Sequence, residues 1–193
     1  MASSTSTRIY TKHYKQLLDP EICSFAYQHL VDNISWENGI TSKREGFTRK
    51  QKALGFNDDE IVSELIVAAL EKTNIFQGKP AQLGGIYLNW YQNGNDFTPM
   101  HKHDSCQLII SLGATRTLKV GNKNIASGNG DVCVFGKSLH GIPKEPNCNE
   151  GRISIALFLQ EAEEEAFEIP EISDISGEEL EESMMAELIR LSM

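Results

Sequence analysis

Three of the five histidines, His101, His103 and His140, lie in a part of the chain rich in short β-type runs. His101-Lys-His103 has i, i+2 spacing, and on a strand those two side chains leave the same face, so both can reach one ion. His140 follows 37 residues after His103, behind the apolar run from Val132 to Phe135 and a short turn. Strand pairing in a sandwich can bring it to the same point. Two ligands from one strand and a third from a distant one leave one side of a metal open. That is what a catalytic metal needs to hold water, O2 or substrate. An H-x-H pair also occurs on ordinary surfaces, so the spacing alone leaves unrelated surface histidines as an alternative. His13 and His29 have no partners in spacing and read as surface or helix-face residues.

The elements that must position these side chains fall into two halves. Asp19-Pro20 is an N-cap followed by Pro at the first helical position, and Ile22, Phe25, Ala26, Leu30 and Val31 follow a helical period up to about Asn33. Trp36 begins an extended stretch. Residues 38–56 are polar and glycine-punctuated, with basic residues at Lys43, Arg44, Arg49, Lys50 and Lys52. A second helix, capped near Asn57-Asp58, carries Ile61, Leu65, Ile66, Ala69 and Leu70 and ends by Gly78-Lys79-Pro80. From Gly85 onward, β-rich runs alternate with turn signals such as Asn93-Gly94 and Gly121-Asn122. Two helices followed by about eight strands predict an α+β fold, with the helices packed on one face of a β-sandwich.

The chain has 193 residues, 40% of them hydrophobic and 23% charged, which is one ordinary globular domain with enough core to fold without disulfides. Four cysteines without CxxC spacing, no apolar leader and no run long enough to span a bilayer predict a reduced, intracellular protein with no membrane association. The net charge of −9 argues against nucleic acid only as an average. Residues 161–193 hold 12 acids and one base, leaving 15 acids against 17 bases in residues 1–160. We therefore expect a domain over 1–160 and an acidic, largely disordered tail over 161–193. The tail ends in a short amphipathic helix, carrying Leu180, Met184, Met185, Leu188, Ile189 and Leu191, that either docks on its own domain or binds a protein partner. The protein is expected to act as a monomer.

The ordered motifs resemble the AlkB family of Fe(II)/2-oxoglutarate dioxygenases. They are Thr48-Arg-Lys-Gln51, Asn89-Trp-Tyr91-Gln-Asn-Gly94, His101-x-His103-Asp104, Ser111-Leu-Gly-Ala-Thr-Arg116, Gly130-Asp131 with its strand, His140-Gly-Ile-Pro143 and Arg152-Ile-Ser154. Together they cover about residues 48–158. The resemblance implies a double-stranded β-helix (jelly-roll) core, Fe(II) and 2-oxoglutarate as co-substrate. It implies iron ligation by His101 and His140, and 2-oxoglutarate binding by Asn89, Tyr91 and Arg152, whose planar guanidinium suits a carboxylate. It also implies hydroxylation of a C–H bond, commonly an N-methyl group on a nucleobase, with release of formaldehyde. A base flipped from a duplex or lying in a single strand would then meet Asp104, with Arg49, Lys50 and Arg116 on phosphates and Trp36, Phe47 or Trp90 available for stacking.

Three positions depart from the family pattern. Its aspartate ligand position holds His103, with Asp104 one residue late, so the third ligand is His103 or, through a bulge, Asp104. A three-His set also resembles the cupins. The motif's final arginine, six residues after Arg152, is Phe158, and Ser154 stands for the usual Asn. The readings left open are therefore an oxygenase of nucleic acid, one of protein or small molecules, a degenerate member that acts through binding alone, and a cupin-like metalloprotein.

Overall fold

The computed structural model describes residues 9–38, 49–78 and 81–161. The expected tail, apart from Glu161, lies outside the described residues, as do Lys43, Arg44, Phe47 and Thr48.

Helix α1 spans Pro20–Asn33 and α2 spans Glu60–Thr73. The Asp19 carboxylate accepts from the backbone N–H groups of Glu21 and Ile22, a cap worth about 1 kcal/mol. Asp59 caps α2 through Val62 N–H, one residue beyond the position read from sequence. His29 of α1 reaches the same Asp59 carboxylate at 2.9 Å, tying the two helices together. His13 pairs with Asp131 at 2.8 Å, so both outlying histidines brace the scaffold.

Among the described residues, eleven strands form two antiparallel sheets. They are β1 (Lys12–Tyr14), β2 (Glu37–Asn38), β3 (Lys50–Leu54), β4 (Ala81–Tyr91), β5 (Thr98–His101), β6 (Cys106–Gly113), β7 (Arg116–Val120), β8 (Lys123–Ser127), β9 (Val132–Phe135), β10 (His140–Ile142) and β11 (Arg152–Glu161). The larger sheet runs β1-β9-β6-β11-β4-β3-β2, and the smaller runs β5-β10-β7-β8. The α+β jelly-roll expectation holds. The polar stretch over 38–56 is corrected in part: its end forms β3, paired with β4 from Lys50 opposite Trp90 to Leu54 opposite Ile86. Gly121 at φ +56° opens the two-residue β7–β8 turn, a backbone region that glycine adopts without penalty.

The period of two along the larger sheet decides what faces what. Leu88, Leu108, Ile110, Leu112, Ile153, Ile155 and Leu157 meet Ile22, Ala26, Leu30, Leu65, Ile66 and Ala69 of the helices in one apolar core. Trp36 and Trp90 pack on that same core with ring centroids 5.3 Å apart, so neither is placed to stack a base. The residues between them on the strands turn to the smaller sheet. There a second core of Ile109, Leu118, Ile125, Cys133, Phe135 and Ile142 closes one end of the sandwich. The other end stays open.

Candidate metal centre and its cavity

The open end is a cavity of about 680 Å³ between the sheets. Its floor is laid in rows across the larger sheet. Arg152 pairs with Tyr91, Ser154 with Asn89 and with Ser111, Gln51 with Asn89, and Ala156 with Tyr87 and with Ile109. Along β11 the floor passes from the cation of Arg152 through Ser154 to the apolar Ala156 and Phe158, with Gln160 beyond them.

The smaller sheet supplies two of the histidines, and the segment after β5 supplies the third. His140 of β10 stands directly opposite His101 of β5, and His103 follows two residues beyond. One ligand nitrogen from each of the three lies within 4.8 Å of the others. Gly141 makes this approach possible, because a Cβ there would fall 2.7 Å from the Thr98 carbonyl oxygen. The Nδ1 of His101 bonds the Pro99 carbonyl at 2.9 Å, and that of His140 bonds the Ser138 carbonyl at 2.9 Å. A carbonyl accepts only, so each Nδ1 carries the proton and each Nε2 presents its lone pair to the common point. Among the described residues, no hydrogen bond holds His103. Its ring instead stands edge-on to His101 at 4.8 Å and to Phe158 at 4.8 Å.

Burial holds all three rings in the neutral, metal-ready form. It lowers the pKa of His101 and His103 and brings that of His140 down to about 4; neighbouring rings act in the same direction on His103 and His140, and Arg49 on His101 and His103. Three neutral imidazoles suit a divalent first-row ion, so these residues fit the metal. Asp104 is exposed and stands outside the cluster, its charge reaching His103 only as a through-space influence. Of the two candidates for a third ligand, His103 is the one that stands with His101 and His140.

The other expected site residues divide. Asn89, Tyr91, Arg152 and Arg49 line the cavity. Asn89 Oδ1 accepts from Gln51 Nε2 at 2.8 Å, and the Tyr91 hydroxyl bonds the Thr98 hydroxyl at 2.7 Å. Arg152 is fully buried; its Nη2 donates to Ser111 Oγ at 2.8 Å, while Nε and Nη1 have no partner. Lys50 takes the other face of β3 and is absent from the lining, whereas Lys52 reaches the rim and pairs with Glu37 at 3.0 Å. Arg116 is placed as scaffold. It is 1% exposed and donates to Glu145, to the carbonyls of Asn93 and Asp96, and to that of Pro143, leaving nothing to offer a phosphate. Sequence reasoning did not single out Thr98 as a site residue or give Gln51 a role. Arg49 and Gln51, alternating on an extended segment, were the available signal.

No family model and no curated protein matches this chain. Its fold is similar to many solved structures. OsALKBH1 matches at 16% identity with a TM-score of 0.57, covering 79% of this chain and 99% of its own. A Pseudomonas putida prolyl-4-hydroxylase matches at 11% and 0.57, covering 80% and 94%. HygX from Streptomyces hygroscopicus, solved with nickel, 2-oxoglutarate and hygromycin B, matches at 8% and 0.62, covering 79% and 83%. At these identities the likeness is one of fold, and the chemistry rests on the residues above.

Proposed function

We propose that this protein is an Fe(II)/2-oxoglutarate-dependent oxygenase, with N-alkylated nucleobases in DNA or RNA as its substrate class. The observation that carries the reading is Arg152, a sealed guanidinium with two unpaired nitrogens in the same cavity as three converging histidines. A buried charge without partners is costly, so its geometry makes sense with an anion against it.

His101, His103 and His140 would hold the iron, and Arg152, Tyr91 and Asn89 would hold the 2-oxo acid. When bound, the metal supplies O2 activation coupled to decarboxylation of the co-substrate. The chain's own residues do the rest. Arg152 takes the distal carboxylate through its free Nε and Nη1. Tyr91, fixed by Thr98, keeps that end in register. Ile109, Leu118 and Ile142 exclude water beside the histidines, which strengthens every charge interaction inside. The nucleobase assignment rests on the order of the motifs. Its phosphate contacts are now those near the rim, such as Lys52, with the expected bases Lys43 and Arg44 outside the described residues.

A second substrate class, a small molecule or protein side chain, is favoured by one observation: Arg116 faces inward and contributes nothing to a phosphate track. The test is release of succinate and formaldehyde from methylated oligonucleotides with Fe(II) and 2-oxoglutarate. Both products, dependent on the methyl group, support the nucleobase reading. Succinate alone, indifferent to the oligonucleotide, moves the protein to the second class. Absence of both products leaves a binding protein on an oxygenase fold.

A further inference from the structure

Arg49 has no role in the reading above, yet it is only 5% exposed and lines the cavity. One terminal nitrogen donates to the Thr98 hydroxyl, and its Nε has no partner. Among the described residues, no carboxylate pairs with it. A second buried, incompletely satisfied guanidinium therefore stands in the same cavity as Arg152.

Tyr91 opposes Arg152 across β4 and β11, and its ring lies 5.7 Å from the Arg152 guanidinium. The Tyr91 hydroxyl and Arg49, which directly precedes β3, both bond Thr98. Thr98, which holds Arg49, lies on β5 three residues before His101. Arg49 therefore serves the histidine end of the cavity and Arg152 the far end.

Phe158 completes the case. It occupies the position where the AlkB pattern carries a second arginine, and its ring packs against His103 at 4.8 Å. On β11 that position offers an aromatic ring in place of a charge, while beside β3 the cavity holds the cation of Arg49. Charge balance agrees: three neutral imidazoles leave a divalent ion uncompensated, two arginines add to it, and Glu37 at the rim is paired with Lys52. A dianion suits that cavity.

We propose that Arg49 binds the carboxylate at the metal end of the dicarboxylate co-substrate, opposite Arg152 at the distal end, replacing the arginine that Phe158 displaces. The inference rests on the oxygenase reading. The test titrates 2-oxoglutarate, and separately 2-oxovalerate, which lacks the distal carboxylate, into full-length protein loaded with Ni(II). Arg152→Gln should weaken 2-oxoglutarate about tenfold or more and leave 2-oxovalerate unchanged. Arg49→Gln should weaken both acids about tenfold or more. Arg49→Lys should recover part of that loss, since it restores the charge without the fork. The apo melting temperature of Arg49→Gln should be no lower than that of the wild type, because an unpaired charge has been removed. Should the Gln variant fail to fold, Arg49→Lys against wild type makes the same comparison: a drop for both acids supports the proposal. Unchanged 2-oxoglutarate affinity in both Arg49 variants, or a loss confined to 2-oxoglutarate, overturns the proposal alone. Wild-type protein that binds neither acid overturns the oxygenase reading as well.

Discussion

Arg116 and Arg152 are equally hidden from water, at 1% and 0% exposure, and they sit at the starts of β7 and β11. Their surroundings separate them. Arg116 is enclosed by one carboxylate and three carbonyls, and Glu145 also accepts from Thr117 N–H at 2.9 Å. Gly94 seals that corner, since its backbone exchanges hydrogen bonds with Glu145 and Cys148 and a Cβ would fall on the Glu145 carbonyl. Arg152 has one hydroxyl and two empty nitrogens. A buried cation with a full set of partners is part of the scaffold, and one with an incomplete set marks a ligand site. The motifs gave both a ligand to bind, 2-oxoglutarate for Arg152 and phosphate for Arg116; the partner list tells them apart.

The largest expected effect breaks the comparison at the scaffold end. Arg116→Met strands three carbonyls and a half-buried carboxylate and should cost about 3 kcal/mol, roughly 6–12 °C in melting temperature. Arg152→Met should leave the apo melting temperature unchanged or raised, while abolishing the added stability that 2-oxoglutarate gives the metal-loaded protein. Thermal melts with and without both ligands read the two variants together. Equal destabilisation of the apo protein by both would erase the distinction.

Next in size is the metal cluster. His140→Ala should remove metal binding at stoichiometric concentrations, and His103→Asp should keep it, because a carboxylate at that position also ligates a divalent ion. Metal content after dialysis measures both. Retention in His140→Ala would dismiss the cluster.

A smaller effect lies in pH. Burial acts to raise the Glu145 pKa, but the hydrogen bonds from Thr117 and the Arg116 charge win and hold it below its ordinary value of 4.5. A depressed folded-state pKa gives stability that is present above 4.5 and lost as the pH falls through the folded value. Wild type should therefore lose a stability increment below about pH 4.5 that Glu145→Gln lacks. Parallel acid melts of the two would contradict the assignment. Smallest is a salt-sensitive effect of the acidic tail: deleting residues 161–193 should tighten oligonucleotide binding at low salt by relieving competition for the basic residues. Unchanged affinity in a filter-binding assay would remove the tail from the account.

The sequence showed most of this molecule where local rules agreed with the fold. Helix α1 begins and ends as its Asp19-Pro20 cap and apolar period predict. The runs of β4, β6, β9 and β11 were legible from their β-branched and aromatic residues. Strand β3 was missed because Lys50-Gln-Lys-Ala-Leu54 lacks apolar alternation. Gln51 points to the cavity floor, where a polar side chain bonds Asn89, so function overrode the binary pattern. The H-x-H pair was read as two side chains on one strand face; β5 ends at His101, and His103 joins the cluster from the segment beyond it. Placing His103 rather than Asp104 beside His101 and His140, and Arg49 rather than Lys50 in the cavity, needed the three-dimensional arrangement, and separating Arg152 from Arg116 needed their hydrogen-bond partners.

The most direct test of the central claim is a calorimetric titration of 2-oxoglutarate into the full-length protein, with and without a divalent metal, for wild type, Arg152→Met and Arg116→Met. The account predicts binding of one 2-oxoglutarate per chain that requires the metal, disappears in Arg152→Met and persists in whatever fraction of Arg116→Met remains folded. Binding that ignores the metal, or that survives in Arg152→Met, would contradict it.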